Sequence, residues 1–157
     1  MDNWAFTKMS YGLYVISTWD NGRATGCTAN SAMQISDQQP TIAISINNNH
    51  FTNDCITETK KFCINVLGEQ VDPFVIGAFG FKSGKTENKF DHFDYSIKNH
   101  MPVLDCAVAY FTCDVIDSMR DSSHTVFLGQ VTDAQIQTDD KPMTYEYYHR
   151  VVKNKGA

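Results

Sequence analysis

The sequence predicts a mainly β protein: an antiparallel barrel, closed or half-closed, with two short flanking helices. A β-sandwich of the same strands is the alternative. Three observations carry this. Runs of β-branched, aromatic and aliphatic residues recur along the chain, each bounded by clusters of Asn, Asp, Ser, Gly or Pro. Asn21-Gly22 is a strong short hairpin signal, because both positions tolerate positive φ. Only two stretches, one after Asn49 and one after Asp72, join a capping signal to helical spacing. A length of 157 residues suits one domain with its own core, and neither repeat nor linker divides residues 1–157. Barrel closure would remove strand edges that could otherwise pair with other chains.

Taken in order, Met9–Trp19 reads as the first strand, through Tyr11, Leu13, Tyr14, Val15, Ile16 and Thr18. Arg23–Ala29 returns antiparallel after the Asn-Gly turn. Ser36 to Pro40 is a second turn cluster. Thr41–Ile46 then alternates strictly, which buries Ile42, Ile44 and Ile46 on one face. Asn47-Asn48-Asn49 ends that strand and offers a cap to a helix from about Phe51 to Lys60, with Phe51, Cys55, Ile56 and Thr59 on its inner face. Phe62–Leu67 is the next strand. Asp72-Pro73 reads as an N-cap followed by proline at the first helical position, opening a helix that stops near Gly80. Residues 80–101 are the least regular part, and long connections in compact domains are often binding loops. Pro102–Asp117 reads as one long apolar strand with a bend or bulge. His124–Ile136 is the last strand, with Thr125, Phe127, Gly129 and Val131 on one face. The aromatic tail Met143–Tyr148 reads as partly helical. Its Tyr145, Tyr147 and Tyr148 suit packing or an oligomer contact better than catalysis.

The totals exclude several classes of function. With 18 acidic and 13 basic residues the net charge is −5, which argues against a nucleic-acid surface. No apolar run approaches the ~20 residues needed to span a bilayer. The start, Met1-Asp2-Asn3-Trp4, has no secretory signal, so a cytoplasmic protein that does not enter membranes is expected. The odd set Cys27, Cys55, Cys63, Cys106 and Cys113 lacks C-x-x-C spacing and reads as core filler, neither a disulfide frame nor a metal site. The five histidines form no metal-ligand spacing.

Three polar segments could supply a ligand site. Gly26-Cys27-Thr28-Ala29-Asn30-Ser31 crowds small polar residues between two strands, and buried polar groups need partners. On composition alone, a polar strand edge facing water, with Thr28 and Asn30 solvated, is the preferred reading; the sharper one is close approach of donors to a flat, polar-edged ligand. Ser45 to Thr52 places Asn47, Asn48 and Asn49 at a strand-to-helix junction, where free N–H groups favour an anion. Capping by Asn49 accounts for one asparagine and leaves two. Phe79 to Phe90 holds Lys82, Lys85 and Lys89 with Ser83 and two glycines, a basic spot in an acidic protein. Ser83-Gly84-Lys85-Thr86 matches the end of a P-loop only superficially. The preceding glycine is misplaced and the segment follows a helix, so nucleotide hydrolysis is rejected. On composition alone, a solvated basic loop competes evenly with phosphate binding. His124, after Ser122-Ser123, reads first as a turn residue, and otherwise as a hydrogen-bonding group for a second substrate.

Together these segments resemble the flavin reductase-like, FMN-binding split-barrel family, an antiparallel Greek-key barrel. The resemblance runs through Tyr11-Gly12-Leu13-Tyr14-Val15, Asn21-Gly22, Cys27 to Ser31, Pro40 to Ile46, Asn49 to Thr52, Phe79 to Phe90, His124 to Val131 and Met143-Thr144-Tyr145. The lysine segment is its most specific piece. The likeness is nearest to the flavin domains of rubredoxin-linked NAD(P)H:flavin oxidoreductases, without the rubredoxin cysteines. It implies a homodimer passing electrons from NADH or NADPH through FMN to free flavin or to a rubredoxin-like acceptor. A non-enzymatic FMN electron-transfer module, reduced by a protein partner, is the alternative. By position, Thr28, Ala29, Asn30 and Ser31 would line the ring and ribityl chain. Ser45, Ile46 and Asn47 would meet the ring edge, and Asn49 and Thr52 would meet ribityl or phosphate oxygens. Phe79, Ser83, Lys85, Lys89 and Phe90 would hold the phosphate end, and His124 would face the nicotinamide. A cofactor that carries the redox chemistry itself requires no acid–base dyad from the protein, and none is readable here.

Overall fold

The computed structural model describes residues 1–153. Among these residues, nine strands form one large and one small antiparallel sheet. The large sheet contains β1 (Tyr14–Asp20), β2 (Arg23–Ala29), β3 (Ala32–Ser36), β4 (Thr41–Asn47), β5 (Lys61–Val66), β8 (Ala109–Arg120) and β9 (His124–Ile136). Its spatial order is β2-β1-β5-β8-β9-β4-β3. The chain leaves β2 at one edge and enters β3 at the other with only Asn30 and Ser31 between. So short a connection forces the two edges close together, and the sheet curls into a barrel that is open along one seam. Bulges between Thr112 and Cys113 and between Val115 and Asp117 let the long β8 bend around it. The barrel interior is apolar, built from Ile16, Ile42, Ile44, Ile46, Phe62, Ile64 and Phe127.

Two helices flank the barrel. α1 (Phe51–Thr59) buries Thr52, Asn53, Cys55 and Ile56, a more polar face than its spacing predicts. Asn53 Nδ2 donates to the Ile46 carbonyl at 3.1 Å, which satisfies the amide and ties the helix to β4. The N-cap is His50, whose side chain makes no cap bond. Asn47 Oδ1 accepts instead from Asn49 N–H at 2.8 Å, tightening the turn before the helix. α2 (Pro73–Phe81) begins as its sequence predicts, with Asp72 accepting from Phe74 N–H at 2.9 Å. It presses Val75, Ile76 and Phe79 into a second apolar cluster with Leu13, Leu67, Leu104 and Met143.

The structure differs from the sequence reading in four places. The first ladder begins at Tyr14, not Met9, and a 3-10 turn over Asn3–Lys8, capped by Asp2, precedes it. β3 is an additional strand, short and at an edge. Pro102–Asp117 is not one strand. β7 (Met101–Leu104) pairs with β6 (Tyr95–Lys98) in a separate hairpin, and a turn at Asp105 to Ala107 redirects the chain into β8. That hairpin turns through Asn99 and His100, both at positive φ, without the usual glycine. Asn65 holds it to the barrel: its amide donates to Val15 O and Ser17 Oγ and accepts from Leu104 N–H. Four cysteines are buried and Cys106 is exposed, so core filler describes all but one.

Candidate functional site

The predicted polar segments converge on one groove. Its wide end is a cavity of about 300 Å³ beside the barrel seam, lined by Thr28, Ala29, Asn30, Ser31, Ser45, Ile46, Asn47 and His124. Its narrow end is a cavity of about 220 Å³, lined by Asn49, Thr52, Phe79, Ser83 and Lys89. Both ends share His50, Gly80 and Phe81, so they adjoin.

Strand and helix starts place these groups. In the wide end, Ser45 N–H donates to Ser31 O at 3.2 Å across the seam. Ser31 Oγ donates to Asn30 Oδ1 at 3.0 Å, and the Asn30 amide nitrogen has no protein acceptor among the described residues. Thr28 Oγ1 donates to Ile76 O at 3.0 Å, fixing α2 against β2. His124 opens β9 opposite Asn47, and its Nδ1 lies 2.7 Å from Ser123 Oγ. Nε2 is the ring nitrogen left without a protein partner among the described residues.

The narrow end is built around a buried cation. Lys89 is 5% exposed. Its Nζ donates to Gly26 O at 2.8 Å and to Phe79 O at 3.0 Å. An ammonium has three donors, so one remains. Burial holds the Lys89 pKa below that of an ordinary lysine. Among the described residues no carboxylate forms an ion pair with it. The first N–H groups of α1, on Phe51 and Thr52, also find no protein acceptor among the described residues, and they carry the positive end of the helix dipole. Cys27 is buried in the same wall; burial raises its thiol pKa, while the Thr52 hydroxyl and the Lys89 charge oppose the rise. A buried cation with one of its three donors unused, beside free N–H groups, fits an anion such as a phosphate monoester.

Two predicted residues stand outside the walls. Lys85 is exposed and lines neither cavity. Its backbone N–H donates to Ser83 Oγ at 3.2 Å, closing the turn that presents Ser83. Phe90 is core, packed edge-on to Phe79 at 5.0 Å, and it anchors the segment that carries Lys89. Phe79 contributes its carbonyl, because its ring is buried.

The sequence reading missed His50, Phe81 and the role of Tyr145 and Tyr148. His50 sits where the cavities meet, and burial with the nearby charges of Lys89 and His124 lowers its pKa. Phe81 is 86% exposed on the rim. Tyr145 and Tyr148 close the far wall of the wide end. Apart from its place among three asparagines, His50 carried no signal in the sequence.

Comparison with known proteins shows the family and the fold. The family profile described as "Flavin reductase like domain" matches residues 6–156. A high molecular weight rubredoxin of Moorella thermoacetica is 39% identical over 153 residues, covering 96% of this chain and 67% of that protein. A ferric-chelate reductase (NAD(P)H) of Archaeoglobus fulgidus is 34% identical over 157 residues, covering 99% and 93%. Among solved structures, the flavin reductase PheA2 in its native state matches at TM-score 0.77 and 27% identity, covering 92% of this chain and 93% of that one.

Proposed function

The chain belongs to the flavin reductase-like family, and from that premise we propose that it is an NAD(P)H-dependent oxidoreductase holding FMN along the groove. The observation that carries the reading is Lys89: a buried ammonium with two carbonyl acceptors, no carboxylate, and a donor left over beside a cavity. Lys89, Ser83, Thr52 and the start of α1 take the phosphate. Thr28 to Ser31 and Ser45 to Asn47 face the ring and ribityl chain, where Asn30 Nδ2 and the strand-edge backbone offer donors. Asn49 lines the narrow end, and His50 sits where the two ends meet. His124 presents Nε2 to the wide end and orients the nicotinamide of NADH or NADPH. Bound flavin supplies the hydride chemistry, and these residues supply position and charge.

Electrons leave to free flavin or to a rubredoxin-like acceptor, an outlet supported by the likeness to the Moorella protein. The protein works as a homodimer. Exposed Met33 and Ile35 on edge strand β3 support this, beside an apolar cavity of about 230 Å³ lined by Tyr14, Pro40, Ile42, Phe111 and Val131. Such a face suits a second copy. Five free thiols fit the reducing cytoplasm.

The test is a visible spectrum of the freshly purified protein, then anaerobic mixing of its FMN form with NADH and with NADPH. Rapid bleaching of the oxidised flavin band by either donor is expected. Bleaching no faster than that of free FMN would overturn the enzymatic reading. If a reduced rubredoxin-like protein then bleached the band, the electron-transfer module would take its place.

A further inference from the structure

We propose that Arg23, at the tip of the β1–β2 hairpin, is a positioning residue: a latch that sets the phosphate loop over residues 83–88 in its binding shape. The proposal rests on the phosphate reading of Lys89 and Ser83. Arg23 lies outside both cavities, yet its guanidinium reaches both ends of that loop. Nη2 donates to Gly84 O, next to Ser83. Nη1 donates to Glu87 O at 3.1 Å and to Asn88 Oδ1 at 2.8 Å, immediately before Lys89. Asp20, across the hairpin turn, accepts from Nε at 3.3 Å and from Nη2 at 2.8 Å. Asp20 thereby aims the fork and balances its charge. All five guanidinium protons are engaged, so none is left for a phosphate. Arg23 therefore acts through the loop.

The loop needs such a fastening. Its own bonds form one tight turn, Thr86 and Glu87 N–H to Ser83 O at 3.2 and 3.0 Å. Most of its residues are exposed, and only Gly84 is buried. Gly84 lies flat on β2, where an added Cβ would collide with Thr25 Oγ1. Thr25 Oγ1 is itself buried with no hydrogen-bond partner among the described residues, so it offers the loop contact but no hydrogen bond. What fixes the separation of Ser83 from Lys89 is thus the guanidinium fork. Lysine cannot copy that fork, because a point-charge ammonium lacks its planar geometry.

The experiment titrates FMN and riboflavin into wild type, Arg23→Ala and Arg23→Lys, with backbone amide exchange of residues 83–88 measured without ligand. Riboflavin lacks the phosphate, so the ratio of the two dissociation constants isolates the loop. In Arg23→Ala the preference for FMN should fall on the order of tenfold, the equivalent of about 1.4 kcal/mol. Arg23→Lys should fall between the two, and loop amides should exchange faster in both variants. A preference within twofold of wild type, or unchanged exchange at 83–88, overturns the latch, whatever happens to affinity overall. A wild type with no preference for FMN over riboflavin overturns the phosphate reading itself, and the latch with it.

Discussion

Replacing Lys89 with Met tests the site at its centre. The substitution keeps most of the side-chain volume and removes the charge. In the wild type, two of three ammonium donors are bound to Gly26 O and Phe79 O, and the third is free at the narrow cavity. A hydrogen bond to a charged group contributes roughly 1.5–3 kcal/mol. At about 1.4 kcal/mol per factor of ten, Lys89→Met should weaken FMN binding on the order of 10- to 150-fold. Riboflavin binding should change far less, and Lys98→Met, on exposed β6, should match wild type for both ligands. Quenching of flavin fluorescence gives the dissociation constants. The pH dependence supplies a second check. Burial depresses the Lys89 pKa, and a bound phosphate would favour its charged form. FMN affinity should therefore fall as pH rises through that depressed pKa, a limb absent from Lys89→Met. The unfolded chain holds the proton to higher pH than the folded one. Stability without ligand should thus rise with pH between the depressed value and the ordinary lysine range. Equal FMN dissociation constants for wild type and Lys89→Met would refute the reasoning.

Other outcomes follow from the same structure. His50 has a folded pKa below its ordinary 6.5, so the unfolded chain protonates first on acidification. Stability should be full above about 6.5 and decline as pH falls from there towards the lowered value, and His50→Gln should flatten that limb in thermal melts across pH 5–7. Gly84→Ala would force a Cβ onto Thr25 Oγ1, and such overpacking costs typically about 1–3 kcal/mol. Denaturant unfolding should show this loss, and adding Thr25→Ala should recover most of it; strict additivity of the two would contradict the contact. Met33 is 65% exposed at the edge of the apolar cavity, so Met33→Lys should leave the fold intact and convert the proposed dimer to monomer in sedimentation. An unchanged sedimentation coefficient would overturn β3 as an interface between two copies.

What the sequence made legible was whatever local chemistry alone decides. Strict alternation fixed the inner face of Thr41–Ile46, and Ile42, Ile44 and Ile46 are buried as a set. Asp72-Pro73 could only open a helix, since one residue supplies the cap and the next needs no N–H partner. The features that were not legible depend on partners remote in sequence. Met33 and Ile35 point outward from β3, so their alternation signals an edge only once β4 lies beside it. Asn99-His100 replaces the expected glycine because the Asn99 amide bonds Thr112 and Thr132 and helps hold an otherwise disfavoured turn.

The candidate site divides the same way. Small polar residues at strand ends marked the groove, and the basic segment marked its cationic end. Within that segment, composition could not separate Lys89 from Lys85. The distinction comes from Phe90, whose burial against Phe79 draws its neighbour Lys89 inward, while Lys85 stays on the exposed turn. A lysine gains a buried position here only because Gly26 and Phe79, on two different elements, turn their carbonyls towards one point. Two carbonyl dipoles do not neutralise a unit charge in a region of low polarisability. The arrangement is best balanced when an anion occupies the third direction, and that incomplete balance is the physical reason to place a phosphate there.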